Sequence, residues 1–442
     1  MAKKMLFLFV LLLSLTGMLK AQVTTAGMSG KVMADEESVI GATVVAVHEP
    51  SGTSYGTVTN VDGRFSLQGM RSGGPYKVTV SYIGYQTAIY TDIQLQLGET
   101  YSLNVTLHEA SELLGEITIT ASKSKFSAEK TGATTNISSE QLTTLPSINR
   151  SISDFTRISP YASGNSFGGR DGRSNTFTVD GANLNNNFGL SSGLPGGGNP
   201  ISLDAIDEVQ VVIAPYDVRQ ANFIGAGINA ITKSGTNAYR GSAYMYFNNE
   251  VMRGNKIGDT DFGARAEESK TVYGATFGGP IIKDKLFFFA NVEYEKSPQQ
   301  VITWRAAKEG EDPNNSTISR TTEADLAEFS QILKDKYGYN TGSFTDFPAD
   351  VTNLKLLGRI DWNINQGNKL SVRYNFTNNK TWEAPNGSSG NTGYRLAYNR
   401  VSAYSMSYAN SCYSLQNIVN SATAELNSRF SSNISNQLLF TY

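Results

Sequence analysis

Leu356-Leu357-Gly358-Arg359-Ile360-Asp361-Trp362-Asn363-Ile364 runs into the turn Asn365-Gln366-Gly367-Asn368 and returns as Lys369-Leu370-Ser371-Val372-Arg373-Tyr374-Asn375-Phe376-Thr377. Leu356, Gly358, Ile360, Trp362 and Ile364 share one face of the first arm, and Arg359, Asp361 and Asn363 share the other. In the second arm Leu370, Val372, Tyr374 and Phe376 alternate with Ser371, Arg373 and Asn375. A period of two is that of a strand, here with one face suited to lipid and one to water. Soluble sheets alternate as well, so the connections decide. Strands are predicted at 239–248, 271–282, 286–295, 356–364, 369–377, 423–430 and 434–442. Short turns (Lys283-Asp284-Lys285, the one above, Ser431-Ser432-Asn433) alternate with long loops throughout. Short turns at one end and long loops at the other are the rule of outer-membrane β-barrels.

Tyr239, Tyr244, Tyr246 and Phe247 lie near strand ends, as an interfacial girdle requires, although a core role suits any one of them equally. A plugged transporter of ~22 strands would need about 640 residues at this strand density, so seven strands read either as the front of a longer chain or as the product of a truncated gene. Seven also leave an open edge in lipid, and the chain as given is not expected to transport alone.

Upstream, Met1 to Ala21 places Lys3 and Lys4 before the apolar run Met5 to Leu15 and ends Leu19-Lys20-Ala21, the pattern of an export signal. That run is too short to span a bilayer, which takes ~20 apolar residues. Cleavage after Ala21 would leave 37 minus 3, or 34, Lys+Arg against 39 Asp+Glu, a charge of −5. The uncleaved 442-residue chain carries −2, so no global positive field draws it to nucleic acid. The lone cysteine, Cys412, excludes an internal disulfide and a cysteine cage for metal.

From Val23 to His108 the sequence is a series of short strands broken by glycine and Asn-Asp turns: Gly30–Val32, Ala42–Val47, Thr57–Thr59, Arg64–Leu67, Tyr76–Tyr82 and Leu103–Leu107. Close-spaced strands of this kind predict a β-sandwich, with an Asx-type turn at Asn60-Val61-Asp62-Gly63. Together with Ser81-Tyr82-Ile83-Gly84-Tyr85, the segment resembles the carboxypeptidase regulatory-like domain, a transthyretin-like sandwich that is not catalytic. His48 and His108 are the two histidines, and neither has the spacing of a zinc site.

Residues 109–130 read as a connector. Within it Glu116-Ile117-Thr118-Ile119-Thr120-Ala121 is similar to the TonB box, the strand by which outer-membrane receptors add to the sheet of an inner-membrane energy-coupling protein. An ordinary edge strand is the alternative. Residues 131–237 read as a globular unit. It opens with a helix signalled by the capping box Ser138-Ser139-Glu140-Gln141 and stopped by Pro146. Phe177-Thr178-Val179-Asp180-Gly181, Ile206-Asp207-Glu208-Val209-Gln210-Val211 and Gly225 to Asn237 then follow in order. This set resembles the plug domain of TonB-dependent receptors. Asp180, Gly181, Asn229, Thr232 and Lys233 are the framework positions that the resemblance implies. Ala214-Pro215-Tyr216-Asp217-Val218-Arg219 and Thr232-Lys233-Ser234-Gly235-Thr236-Asn237 are similar to the Oar-like branch. The longer plug signature of the starch-uptake branch is missing before the Asp-Gly, which leaves a glycan ligand without special support.

The expected architecture is therefore mainly β. A signal (1–21) precedes a sandwich (22–108), a linker with the coupling strand (109–130), an α+β plug (131–237) and the first strands of a transmembrane antiparallel barrel (238–442). The resemblance implies energy-coupled uptake in the outer membrane of a Gram-negative bacterium, with sandwich and plug facing the periplasm. Its partners would be a TonB-type energy-coupling protein, outer-membrane lipid and an external ligand that is a siderophore, peptide, protein or glycan. Within the glycine- and asparagine-rich stretch Asn183 to Gly198, Asn185, Asn186, Asn187 and Phe188 are candidate ligand contacts at the plug apex. Trp304 and Trp382 are candidate stacking platforms in the external loops. A surface adhesin without transport is the rival reading. No nucleophile, base and orienter set supports an enzyme, no phosphate-binding glycine motif is present, and no cofactor is expected.

Overall fold

The computed structural model describes residues 23–34, 37–109, 117–120, 132–147, 150–185, 199–215, 217, 219–221, 223–261, 263, 268–298, 301–302, 304–313, 317–385 and 401–442. Residues 1–21, where an export signal is expected, lie outside them.

Two sheets face each other in the N-terminal part. In the first, β1 (Ala26–Ala34) pairs with β4 (Arg64–Met70), with the short strands β7 (Thr100–Ser102) and β8 (Val105–Leu107), and with a two-residue strand at Glu37–Ser38. The second has the order β9-β6-β5-β2-β3, where β2 is Thr43–His48, β3 Thr53–Val58, β5 Gly73–Ser81, β6 Ala88–Leu95 and β9 Ile117–Thr120. Met28, Leu67, Met70, Tyr76, Val78, Val80 and Ile93 are fully enclosed between the sheets. Burial of each large side chain stabilises by roughly 1.5–3 kcal/mol. Gly63 takes φ +70° in the Asn60 turn, and the Asn60 side chain accepts from the Asp62 and Arg64 amides at 3.0 and 2.8 Å. His48 is buried with Nδ1 2.7 Å from the Ser51 hydroxyl, and burial, then Arg71, holds its imidazole down to about 3. It is a neutral structural group.

Strand β6 is absent from the sequence reading. Its register against β5 slips between Tyr76 and Val78, and Asp92 stands at φ +60°. This bulge breaks the alternation, so the buried positions run Ala88 and Ile89, then Ile93 and Leu95. A search for period two misses such a strand.

The central part is a sheet of order β10-β13-β14-β11-β12, with β10 Ala133–Ser138, β11 Thr176–Val179, β12 Ala182–Asn183, β13 Ile206–Ala214 and β14 Gly227–Thr232. Helix α1 (Ser139–Thr144) carries the expected capping box between Ser138 and Gln141. A second helix, α2 (Ile152–Thr156), is capped in the same way by Ser151 and Asp154, a signal the sequence reading passed over.

Seven strands then form one antiparallel meander: β15 (Arg240–Asn249), β16 (Ser269–Ile282), β17 (Leu286–Lys296), β18 (Thr352–Asn363), β19 (Asn368–Glu383), β20 (Tyr413–Arg429) and β21 (Ser435–Thr441). Their order and short turns are those read from the sequence. Strands β18 to β20 are longer, because pairing continues where the outward face turns polar at Asn378 and Lys380. At ~3.4 Å per residue, β20 is almost twice the ~30 Å hydrocarbon thickness, so its first half projects on the long-loop side. The long connection at 297–351, read as a loop, contains helix α3 (Glu323–Tyr337), with a Thr322/Asp325 capping box and Gly338 as left-handed C-cap.

The polarity of this sheet is the reverse of a soluble protein's. Leu356, Ile360 and Trp362 are 38–48% exposed, while Lys355, Arg359 and Asp361 are 2–8% exposed against the central domain. The girdle expectation divides by parity. Tyr239 and Phe247 face outward, whereas Tyr244 and Tyr246 face inward, since the Tyr244 hydroxyl donates to Glu293 and the Arg150 guanidinium covers the Tyr246 ring at 3.8 Å.

Candidate functional site

Val179-Asp180-Gly181-Ala182 is the tight turn joining β11 to β12. Asp180 and Gly181 take φ +50° and +83°, the two left-handed positions for which Asp-Gly is suited. The turn presents the Asp180 carboxylate to the end of β14, where it accepts from the Thr232 amide at 3.0 Å and the Thr232 hydroxyl at 2.7 Å. Asn229, three residues earlier on β14, accepts from the Thr178 hydroxyl at 2.6 Å. The Lys233 amide donates to the Ala205 carbonyl. Asp180, Gly181, Asn229 and Thr232 thus tie the middle of the central sheet together, with Lys233 closing it onto the start of β13.

This centre is joined to the barrel wall by buried charge. Arg373 Nε on β19 lies 3.6 Å from Asp180, and its Nη1 donates to Glu425 on β20 at 2.9 Å. Arg359 on β18 grips Asp361 with two hydrogen bonds of 2.8 and 2.9 Å and also donates to the Thr232 carbonyl. Arg71, from the sandwich, reaches Asp361 at 3.2 Å and the Ser234 hydroxyl. Glu425 further accepts from Thr24, Asn427 and Gln437. Three arginines face three carboxylates from three parts of the chain. Such a cluster holds when complete, whereas removing one partner of a buried pair typically costs 3–5 kcal/mol.

A second junction lies further up the barrel wall. Glu293 on β17 accepts from Lys355, Ser202 and Tyr244 within 2.9 Å, and Arg150 sits between Asp204, Glu293 and the two inward tyrosines. The Pro200 carbonyl accepts from Thr377 at 2.6 Å. A cavity of about 360 Å³ opens beside it, lined by Leu142, Arg150, Asp204, Tyr246 and Lys270 among others.

At the other edge of the central sheet, the Leu97 amide of the sandwich donates to both Glu208 oxygens, at 3.0 and 3.1 Å, and its carbonyl accepts from Gln210 and Asn136. Val23, Leu97 and Ile231 form a small apolar cluster there. Burial pushes the Glu208 carboxyl up to about 8, opposed chiefly by the Leu97 hydrogen bond. The sandwich also meets the short-turn end of the barrel through Asn363 to Thr53 and Arg429 to the Gly56 carbonyl.

The other sequence candidates fall elsewhere. The Asn185 side chain accepts from the Phe177 amide at 2.6 Å and braces the β11–β12 hairpin. Asn186, Asn187 and Phe188 lie outside the described residues. Trp304 and Trp382 pack, partly buried, against one cluster of the buried residues Ile302, Val401 and Cys412; Trp382 lies on β19 and not in a loop, because pairing continues past Lys380, whose ammonium stands 4.9 Å over its ring. Ile117 to Thr120 form β9, while Glu116 and Ala121 lie outside the described residues. Sequence reasoning missed Arg71, Arg150, Glu208, Glu293 and Glu425, whose partners are remote in the chain; inward parity on predicted strands was the one signal available for Glu293 and Glu425.

Residues 27–108 match the carboxypeptidase regulatory-like domain, and residues 231–442 match an outer membrane beta barrel domain. The chain resembles TonB-dependent outer-membrane receptors and lies in the outer membrane. It is similar to the TonB-dependent transporter Oar of Myxococcus xanthus, at 25% identity over 343 residues, which cover 73% of this chain and 30% of that protein. Among solved structures, similarity extends to a ferric enterobactin receptor mutant of Pseudomonas aeruginosa in complex with enterobactin (14% identity, 71% of this chain, 41% of that one, TM-score 0.44). It extends also to the outer membrane transporter YddB of Escherichia coli (13%, 67%, 37%, TM-score 0.43).

Proposed function

We propose that this chain is the sandwich, plug and barrel-wall part of a TonB-dependent transporter that carries an external ligand across the outer membrane. The observation that supports this most is the seating of the plug sheet on the charged inner face of the barrel strands, through Asp180, Arg359, Arg373 and Glu425. Phe289 and Leu357 of the barrel strands add apolar contacts to the central domain, but the middle of the junction is charged, where a permanent core would be apolar. Charged and hydrogen-bonded contacts can exchange for water when the plug moves, so the junction suits a part that is both held and released. Ile117 to Thr120 is the strand that a TonB-type energy-coupling protein would take by main-chain pairing. Pulling on it would move the plug through the linker that follows. The sandwich and plug face the periplasm, and the ligand, a siderophore, peptide, protein or glycan, enters from the long-loop side.

Deletion of 117–120 in the protein in its native membrane tests this. Uptake of the ligand should be lost while its surface binding is kept. Unchanged uptake would overturn the coupling-strand reading, and binding with no energy-dependent uptake in the intact protein would overturn the transporter reading in favour of a surface adhesin.

A further inference from the structure

Strand β9 lies against the sandwich. Ile117, Thr118, Ile119 and Thr120 pair in parallel with Ala88, Ile89, Tyr90 and Thr91 of β6, which makes β9 the edge strand of the second sandwich sheet. Its other edge pairs with no strand among the described residues. The pairing ends at Thr91, where the positive-φ bulge at Asp92 turns β6 away. Four β-branched residues in a row favour the extended state. The sandwich that carries β9 is itself fixed to the short-turn end of the barrel through Arg71 to Asp361, and to the central sheet through Leu97 to Glu208.

An unpaired strand edge is a template for another chain. We propose that the sandwich is a presentation platform: it holds Ile117–Thr120 extended, one edge free, so that a strand from a periplasmic energy-coupling protein extends the sandwich sheet by one strand. This rests on reading Ile117–Thr120 as the coupling strand. Ordering the backbone of four residues costs conformational entropy. Where the sandwich has already ordered them, the partner does not bear that cost on binding, and its affinity rises accordingly. The proposal gives the N-terminal domain a role in partner docking.

The register supplies the test. Paired Cα atoms on neighbouring strands stand ~4.8 Å apart, inside the roughly 4.4–6.8 Å that a disulfide accepts. A shift of two residues brings this to about 8 Å, outside that range. The T91C/T120C variant should therefore oxidise at least tenfold faster than the off-register T91C/T118C control; the native Cys412 is buried. The oxidised T91C/T120C protein, purified from outer membranes, should bind the periplasmic part of a TonB-type protein as tightly as its reduced form or more so. Equal oxidation of the two pairs would overturn the proposal by showing that the pairing is not populated. Tenfold weaker binding after oxidation would also overturn it, by showing that β9 must leave the sandwich to be taken. The I117P/I119P variant probes the underlying reading separately. Loss of binding supports the coupling strand, and retained binding sinks both the coupling-strand assignment and the platform built on it.

Discussion

Asp180, in the plug turn, and Arg373, on the inner face of β19, stand 3.6 Å apart with both side chains at most 6% exposed. The Asp180 oxygens also hold the Thr232 amide and hydroxyl, so one carboxylate fastens two plug strands and faces the barrel wall. Asp180→Asn keeps the size but removes one of the three negative charges that balance Arg71, Arg359 and Arg373. The expected outcome is destabilisation by roughly 3–5 kcal/mol, the usual consequence of leaving a buried charge unpaired. Thermal unfolding in detergent would show it, together with faster proteolysis of the plug. An unchanged melting temperature would mean that the plug is held by other contacts.

Gly181 separates conformational strain from crowding. An added Cβ would meet Leu439 of β21 at 2.6 Å in a residue with φ +83°. Gly84, in the sandwich, has φ +87° and nothing within 4 Å of the same point. Gly84→Ala should therefore lose about 1–2 kcal/mol from the left-handed conformation alone. Gly181→Ala should lose more and loosen the contact between plug and β21. Equal losses in a denaturation series would rule out the Leu439 contact.

These two residues also show what the sequence could reveal. Asp180-Gly181 was picked out only by the resemblance of its string, and its left-handed turn emerges from the structure. The barrel strands were legible from the residues themselves: alternation and turn length are written within each hairpin. The partners of Asp180 were not, because Arg359, Arg373 and Thr232 meet it through tertiary packing that no local pattern encodes. Strand β6 was hidden by its own bulge at Asp92, and with it the place where Ile117–Thr120 pairs. Trp304 and Trp382 stood out by residue type, but type alone did not indicate that they pack together in one cluster.

The sandwich–plug contact should depend on pH through Glu208. Burial raises its carboxyl to about 8, so the docked form binds a proton more tightly than the undocked form, where the group returns to the ordinary carboxylate range. The stabilisation is present in full below that range and is lost as pH rises to and through about 8. Hydrogen exchange of the Leu97 amide, corrected for the intrinsic rate, should accelerate between pH 6 and pH 9, roughly spanning that midpoint. Glu208→Gln keeps an acceptor for Leu97 and should flatten the profile. A profile equally steep in the variant would assign the pH dependence to another group.

The reversed polarity of the barrel strands makes the sharpest prediction about what surrounds them. Ile360 is 48% exposed and its neighbour Arg359 is 8% exposed. On a soluble protein, Ile360→Arg would be harmless, because an exposed apolar residue becomes an exposed charged one. On a lipid-facing strand the same change places a guanidinium in hydrocarbon, at a cost of roughly 2–4 kcal/mol near the midplane and less toward the interfaces. The protein folded into phospholipid vesicles should lose that stability in a guanidinium titration, while Lys380→Arg, on the projecting part of β19, should change little. If Ile360→Arg matched the parent, the outward face of β18 would not be in lipid, and the barrel would have to be read as a water-exposed sheet whose buried charges serve some other purpose.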